Sequence, residues 1–239
     1  MRVQKSRQLA VWVAALSVVA TLGRVSAAEP AGWWKDLEIG TRSTWVYLTD
    51  HQRDINATTA AMGSFYGSID QLDAVQNYWP LKPFIDYKLC PYGGIELAWD
   101  SLTARTITRG DGHTDGDLSI MGPMVSVFVR YPNTTGLTPY AGVGVAYYRV
   151  DFDEDADWHV PPGRSEIQTM DFDHTYGVFG YGGLIWKFAD NWSADLYLRY
   201  TKVDAEGIHW QGPDGDSYGG SPSFPLSHIA TGLGVRYSF

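Results

Sequence analysis

Ionisable side chains recur at alternate positions within segments that are otherwise apolar or aromatic. Glu38 and Arg42, for example, lie between Leu37, Ile39 and Trp45. Since successive side chains of a β-strand point to opposite faces, this spacing places the charges on one face and the apolar groups on the other. Six of eight such segments carry five acids and six bases on the charged face: Glu38, Arg42, Lys82, Asp86, Lys88, Glu96, Asp100, Arg130, Asp195, Arg199 and Arg236.

These charged side chains can form ion pairs with one another. If the charged faces share one interior, each ion left unpaired costs on the order of several kcal/mol in lost hydration. Five acids and six bases are nearly balanced, so almost every charge can find a partner. We therefore predict a salt-bridge network that fills the interior and closes it. The alternative is a gate, in which the pairs exchange partners and admit small solutes.

One adjacent pair, Ser227 and His228, has the residue types of a nucleophile and its base. Nucleophilic catalysis needs the base within hydrogen-bonding distance of the hydroxyl. Neighbours on a strand point to opposite faces, so these two side chains cannot meet directly. We therefore predict that the chain is not an enzyme.

The first 28 residues have the three regions of a secretory signal peptide. Arg2, Lys5 and Arg7 form a basic start, an apolar run covers Leu9–Leu22, and small residues occupy positions 26–28. We predict that residues 1–28 are cleaved on export and that residues 29–239 form one domain.

The composition of residues 29–239 narrows the protein class. Their 14 basic and 27 acidic residues give a net charge of −13, which disfavours nucleic acid as a partner. Cys90 is the only cysteine, so no intramolecular disulfide can form. No apolar run after residue 28 is long enough for a transmembrane helix. Nine Trp and 25 Gly in these residues, among alternating segments, instead favour a barrel with aromatic girdles.

The alternating segments define eight predicted strands. Three short turns and four long loops separate them, as in barrels whose short turns are periplasmic and whose long loops are extracellular. The predicted fold is all-β, an eight-stranded antiparallel up-and-down transmembrane β-barrel. Seven strands are predicted at Leu37–Leu48, Leu81–Leu89, Gly93–Arg105, Pro139–Val150, Tyr176–Phe188, Trp192–Val203 and Ile229–Phe239. The fourth strand follows a loop at Arg109–Asp117 and turns Val125, Val127, Val129 and Tyr131 outward.

The last segment, IATGLGVRYSF, ends the chain on Phe239, with Tyr237 two residues earlier and Gly234 five residues back. It resembles the closing strand of bacterial outer-membrane barrels, although Gly232 stands where that pattern usually has a polar residue. With the segment PYAGVGVAYY and the first strand, the chain resembles the small eight-stranded OmpA-transmembrane, OmpX/opacity and OmpW-like barrels. The resemblance implies that Gly234, Tyr237 and Phe239 form the assembly signal read by the barrel-insertion machinery.

The resemblance also implies a location and a role. We expect a monomer in the outer membrane of a Gram-negative-type bacterium, surrounded by outer-membrane lipids and lipopolysaccharide. Its role is expected to be structural or in surface interaction, with a lumen plugged by charged side chains. The alternative is a passive low-conductance channel for small or hydrophobic solutes, as OmpW-like barrels are thought to be. A more remote alternative is a lipid A-modifying enzyme.

The third long loop is acidic. Calcium takes six to eight oxygen ligands, but the carboxylate spacing does not match a twelve-residue EF-hand loop. We expect a solvated acidic rim with no bound metal or cofactor, or carboxylates that share divalent cations with lipopolysaccharide phosphates. The alternating aspartates are Asp151, Asp153, Asp155 and Asp157.

Aromatic residues near the strand ends are assigned to two girdles that anchor the barrel in the bilayer. The inner girdle is predicted to contain Tyr92, Tyr131, Trp186, Phe188, Trp192, Tyr237 and Phe239. The outer girdle is predicted to contain Tyr47, Tyr147, Tyr148, Tyr176 and Tyr200.

Overall fold

The computed structural model describes residues 32–49, 69–72, 77–108, 114–159, 169–211, 217–218 and 223–239. The predicted signal peptide lies outside these ranges. A 3₁₀ helix, Gly32–Asp36, precedes the first strand, and one short helix, α1, covers Ala156–His159. No described helix combines the length and apolar character needed to cross a membrane. The strands are β1 Leu37–Leu48, β2 Ile69–Leu72, β3 Asn77–Cys90, β4 Gly93–Thr108, β5 Thr114–Arg130, β6 Leu137–Glu154, β7 Thr169–Phe172, β8 Thr175–Lys187, β9 Trp192–Lys202, β10 Asp204–Gln211, β11 Ser217–Tyr218, β12 Ser223–Pro225 and β13 His228–Ser238.

Eight long strands close into an antiparallel barrel, which confirms the predicted fold. Their order is β1, β3, β4, β5, β6, β8, β9 and β13, and β13 pairs back onto β1. At this seam Ile39 lies opposite Tyr237, and Arg42 lies opposite Gly234. Each of the eight strands is therefore hydrogen-bonded on both sides, as a strand in lipid requires.

The barrel wall is apolar on its outside. Val143 is 63% exposed, Leu198 is 57% exposed and Leu233 is 58% exposed, whereas inward neighbours such as Tyr197 are buried. A contiguous apolar surface of this kind is unfavourable in water but matches the hydrocarbon of a bilayer. The shortest wall strands have 11 residues, enough to cross a bilayer when tilted.

Aromatic rings gather at both ends of the wall. At the turn end, the Tyr237 ring centroid lies 5.0 Å from those of both Trp192 and Phe239. At the loop end, Tyr147 packs on Tyr176 at 5.2 Å. The assignment of Tyr148 to the outer girdle is wrong. The alternation of β6 continues through Tyr148 and turns its side chain into the lumen, where it is fully buried.

The predicted long loops contain more strand than the sequence pattern indicates. β4 continues to Thr108, β5 begins at Thr114 and β6 continues to Glu154. Beyond the barrel, β10 pairs with β7, β11 and β12. Apolar alternation does not reveal these parts, because strands beyond the bilayer have water on their outer face. Outward residues there, such as Asp151 and Asp153, have no need to be apolar.

Candidate functional site in the barrel interior

The eleven charged residues singled out in the sequence all place their side chains in the lumen. Nine are buried, while Lys88 and Arg130 are partly exposed near the short turns. Their ion pairs divide them into two clusters. The turn-side cluster, nearer the short turns, consists of Glu38, Arg42, Asp86, Lys88, Glu96, Arg130, Asp195 and Arg236. The loop-side cluster, nearer the long loops, consists of Lys82, Asp100 and Arg199.

Arg236 lies at the centre of the turn-side cluster. Its Nη1 donates to Glu38 Oε2 at 3.1 Å and to Asp86 Oδ2. Its Nη2 donates to Asp195 Oδ2 at 3.2 Å. The guanidinium also lies over the Phe84 ring, 4.7 Å from the centroid. One side chain of β13 is therefore linked to carboxylates on β1, β3 and β9 by charge-assisted hydrogen bonds.

Arg42 forms the second centre of this cluster. Its Nη1 and Nη2 donate to the two carboxylate oxygens of Glu96, at 3.1 and 2.7 Å, and its Nε donates to Asp195 Oδ2 at 2.8 Å. The guanidinium carbon lies 3.9 Å from the Phe84 centroid and 4.2 Å from the Tyr197 centroid. A two-pronged carboxylate contact and two ring faces are the environment in which a guanidinium is best accommodated away from water.

The turn end of the cluster is held by Arg130 and Lys88. Arg130 Nη2 donates to Glu38 Oε2 and to Asp86 Oδ2, both at 2.7 Å. Lys88 Nζ lies 2.8 Å from Glu38 Oε1, and Ser238 Oγ donates to the same oxygen at 3.1 Å. Glu38 thus retains several donors if any one of them is lost.

Asp100 is the only carboxylate of the loop-side cluster. Lys82 Nζ lies 2.5 Å from its Oδ1, and Arg199 Nη2 lies 2.5 Å from its Oδ2. The Tyr148 hydroxyl donates to Oδ2 at 2.8 Å, and His228 Nε2 lies 3.6 Å from it. Because Asp100 is completely buried, two cations depend on one desolvated carboxylate.

Three tyrosines that the sequence reasoning missed complete the polar interior. The Tyr140 hydroxyl donates to Asp195 Oδ1 at 2.6 Å, and the Tyr181 hydroxyl lies 2.9 Å from Ser126 Oγ. Tyr148 is the third. The signal that finds Tyr140 and Tyr148 is their even spacing from Gly142, which lies on the inner face of β6.

Glycines on the inner face make room for these large side chains. A Cβ built on Gly142 would lie 2.6 Å from the Tyr181 ring. A Cβ on Gly234 would lie 2.9 Å from Arg42 Cγ. Gly234, which the family resemblance assigns to the assembly signal, therefore also has a packing role beside the turn-side cluster.

Above the loop-side cluster the interior becomes apolar. We call this layer the apolar cap, and its members are at most 7% exposed. Part of it comes from β12 and the chain that follows, so the extracellular chain folds over the mouth of the barrel. The cap consists of Val46, Leu48, Leu102, Ala104, Leu118, Ile120, Val150, Phe224 and Leu226.

Ser227 and His228 are both buried, His228 inside the lumen beside Asp100 and Ser227 against the backbone of Val203. The Ser227 hydroxyl donates to the Val203 carbonyl at 3.4 Å and accepts from the Val203 N–H at 3.3 Å. His228 Nδ1 lies 2.9 Å from the Leu226 carbonyl, and its Nε2 faces Arg199 at 3.3 Å. The two side chains are thus engaged with different partners.

The aspartates of the third loop are exposed on the end of β6 and on the segment that contains α1. Among the residues that the structure describes, no three His, Cys, Asp or Glu side chains form a group that could hold a metal ion.

At the other end of the barrel, the Phe239 N–H donates to the Leu37 carbonyl at 3.4 Å, so Phe239 is hydrogen-bonded to the first wall strand.

No protein-family model matches the chain, and no curated protein matches it in sequence. Solved structures do match it in fold. The outer membrane protein OprG from Pseudomonas aeruginosa aligns with a TM-score of 0.59 at 15% identity, over 85% of this chain and 97% of OprG. AlkL aligns with a TM-score of 0.56 at 19% identity, over 89% of this chain and 94% of AlkL. The E. coli outer membrane protein W aligns with a TM-score of 0.55 at 17% identity, over 89% of this chain and all of that chain.

These similarities confirm the fold predicted from the strand pattern and from the closing strand. The chain is a small eight-stranded barrel of the outer-membrane type. Together with the apolar outer wall, this fold supports the predicted location in a Gram-negative outer membrane.

Proposed function

We propose that this protein is an outer-membrane barrel whose lumen is closed, and that it acts in envelope structure or surface interaction through its extracellular end. The observation that carries the proposal is the network of ion pairs across the lumen. It draws charged side chains from six of the eight wall strands, β1, β3, β4, β5, β9 and β13.

Closure of the lumen rests on three successive layers. An eight-stranded barrel is just wide enough for side chains to fill it. The turn-side cluster fills the lumen nearest the short turns, the loop-side cluster lies next to it, and the apolar cap closes the end nearest the long loops. To conduct ions, the barrel would have to separate buried ion pairs, and leaving one such charge unpaired costs about 3–5 kcal/mol.

The extracellular end supports a role in surface interaction. An open groove of about 630 Å³ lies between the end of β6 and β7, and Tyr147, Arg149, Asp151 and His174 are among its lining residues. Aromatic, basic and acidic side chains are combined there at the level of the outer aromatic residues.

We propose that exposed carboxylates such as Asp151 share divalent cations with lipopolysaccharide phosphates. We also propose that the insertion machinery reads Gly234, Tyr237 and Phe239 during assembly.

A second candidate function, a passive route for small or hydrophobic solutes, is favoured by one observation. The extracellular part of the lumen is lined by apolar side chains such as Leu102, Leu118 and Ile120 instead of charges. An apolar solute could bind between these side chains without leaving any charged group unpaired. Any solute that crosses the whole lumen would have to pass both charged clusters, so an apolar solute would need a lateral opening in the barrel wall to avoid them.

Solute uptake separates the two candidates. Residues 29–239 refolded into liposomes are expected to leave the swelling rate in a small neutral sugar equal to that of protein-free liposomes. Swelling that rises with the amount of inserted barrel would contradict a closed lumen. In vesicles with lipopolysaccharide in the outer leaflet, faster uptake of an apolar fluorescent dye, with sugar uptake unchanged, would favour the second candidate.

A further inference from the structure

The two charged clusters differ in net charge. The turn-side cluster contains four acids and four bases and is neutral. The loop-side cluster contains Asp100 against Lys82 and Arg199, an excess of one positive charge. His228, the titratable ring that faces Asp100, can only add positive charge. The surplus base of the lumen is therefore located in the loop-side cluster.

This surplus charge is sealed from solvent. Lys82 is 7% exposed, Arg199 is 3% exposed and Asp100 is fully buried. The apolar cap lies on one side of the cluster. On the other side, Arg42 is already paired with Glu96 and Asp195. A buried charge without a counter-charge is costly, and a bound anion would supply the missing charge.

Hydrogen-bond donors beside the surplus charge have no partner within the described structure. Arg199 Nε and Thr44 Oγ1 are both buried and unpaired. Lys82 Nζ uses two of its three N–H groups, on Asp100 and on the Ser101 carbonyl at 3.1 Å. These three side chains line one cavity of about 10 Å³, close to the smallest that holds a single water-sized guest.

We propose that this cavity is a halide-binding site, in which Lys82 Nζ, Arg199 Nε and the Thr44 hydroxyl donate to one monovalent anion. A halide accepts hydrogen bonds from all sides, carries the one missing negative charge and is the most compact class of monovalent anion, so it requires the smallest outward movement of the three donors. A larger oxyanion such as phosphate does not fit this volume. The site is independent of whether the barrel conducts solutes.

Bromide locates the site directly, because its anomalous scattering distinguishes it from water. Crystals of refolded residues 29–239 grown in bromide are expected to show one anomalous peak in the lumen, within hydrogen-bonding distance of Lys82 Nζ and Thr44 Oγ1. Lys82→Met removes the surplus charge but leaves Asp100 with Arg199, Tyr148 and His228, so this variant is expected to fold and to lose the peak.

Lys88→Met is the matched control. It also removes one lysine from the lumen, but from the neutral turn-side cluster, and it is expected to keep the bromide peak at full height. A parent barrel with no bromide in this cavity would overturn the proposal. Equal peaks in the parent and in Lys82→Met would also overturn it, because the surplus charge would then not be what binds the ion.

The thermal stability of the parent barrel gives a second readout that does not depend on any variant. The parent is expected to unfold at a higher temperature in chloride than in the salt of a large organic anion at equal ionic strength. Once the site is saturated, each tenfold rise in chloride concentration is expected to raise the melting temperature by about 3–5 °C. Identical melting temperatures in the two salts would contradict a halide site.

Discussion

The turn-side and loop-side clusters use the same kinds of side chain at similar burial, yet they differ in redundancy. Arg236 contacts three carboxylates, and each of those carboxylates has at least one other basic partner. In the loop-side cluster, both Lys82 and Arg199 depend on Asp100 alone. The comparison indicates that a buried ion-pair network tolerates the loss of one side chain only where each remaining charge still has another partner of opposite charge.

The largest effect is expected from Asp100→Asn. This variant keeps the shape of the side chain but leaves two buried cations without a carboxylate. We expect a loss of about 3–5 kcal/mol in the free energy of unfolding, or failure to refold. Urea titration of the barrel in lipid vesicles, followed by tryptophan fluorescence, measures it.

The matched variant in the turn-side cluster is Glu96→Gln. Arg42 then keeps Asp195 and its two ring contacts, so the expected loss is smaller, about 1–2 kcal/mol. If the two variants lose equal stability, the clusters do not differ in redundancy.

An intermediate effect is expected from Arg236→Ala. The three carboxylates lose their common partner, but Arg130, Lys88 and Arg42 remain. The same urea titration should show a loss of about 1–3 kcal/mol, which includes the cavity left by the side chain. A variant that unfolds like the parent would mean that Arg236 is not part of a buried network.

Tyr148→Phe is expected to have a comparable effect. It removes the hydroxyl that donates to Asp100 at 2.8 Å, and hydrogen bonds to charged groups contribute about 1.5–3 kcal/mol. Tyr47→Phe on the outer face of β1 serves as the control and should change stability by less than about 0.5 kcal/mol. Equal effects at the two positions would mean that the Tyr148 hydroxyl does not stabilise Asp100.

The smallest effect is expected from Lys88→Met. Lys88 is the most exposed member of the turn-side cluster, and Glu38 keeps Arg130 and Arg236 without it. The midpoint of urea unfolding should correspond to a change within about 0.5 kcal/mol. A loss comparable to that of Arg236→Ala would show that the partners of Glu38 do not substitute for one another.

The face on which each wall residue lies could be predicted from the sequence, because the period of two continues along each strand. The eight wall strands and the inward orientation of residues such as Glu96 and Arg199 follow from it. Tyr148 was misassigned where an aromatic residue next to Tyr147 outweighed the alternation. The strands beyond the bilayer were missed because their outer face is solvated.

The division into two clusters could not be predicted. Arg42 lies beside Lys82 in the pairing of β1 with β3, yet it binds Glu96 on β4 and Asp195 on β9 across the lumen. Such contacts depend on the tilt and stagger of the closed barrel, which no single strand encodes. The sequence supplies five acids and six bases for the inner face, but only the structure assigns the extra base among them to the loop-side cluster.

Single-channel current is the most direct test of a closed lumen. Residues 29–239, refolded and inserted into a planar bilayer, are compared with Arg236→Ala, with insertion verified by the altered electrophoretic mobility of the folded barrel. No discrete openings are expected from either protein, because the loop-side cluster and the apolar cap still close the lumen of the variant. Discrete openings in the parent that become larger in Arg236→Ala would contradict closure and identify the turn-side cluster as the gate of a pore.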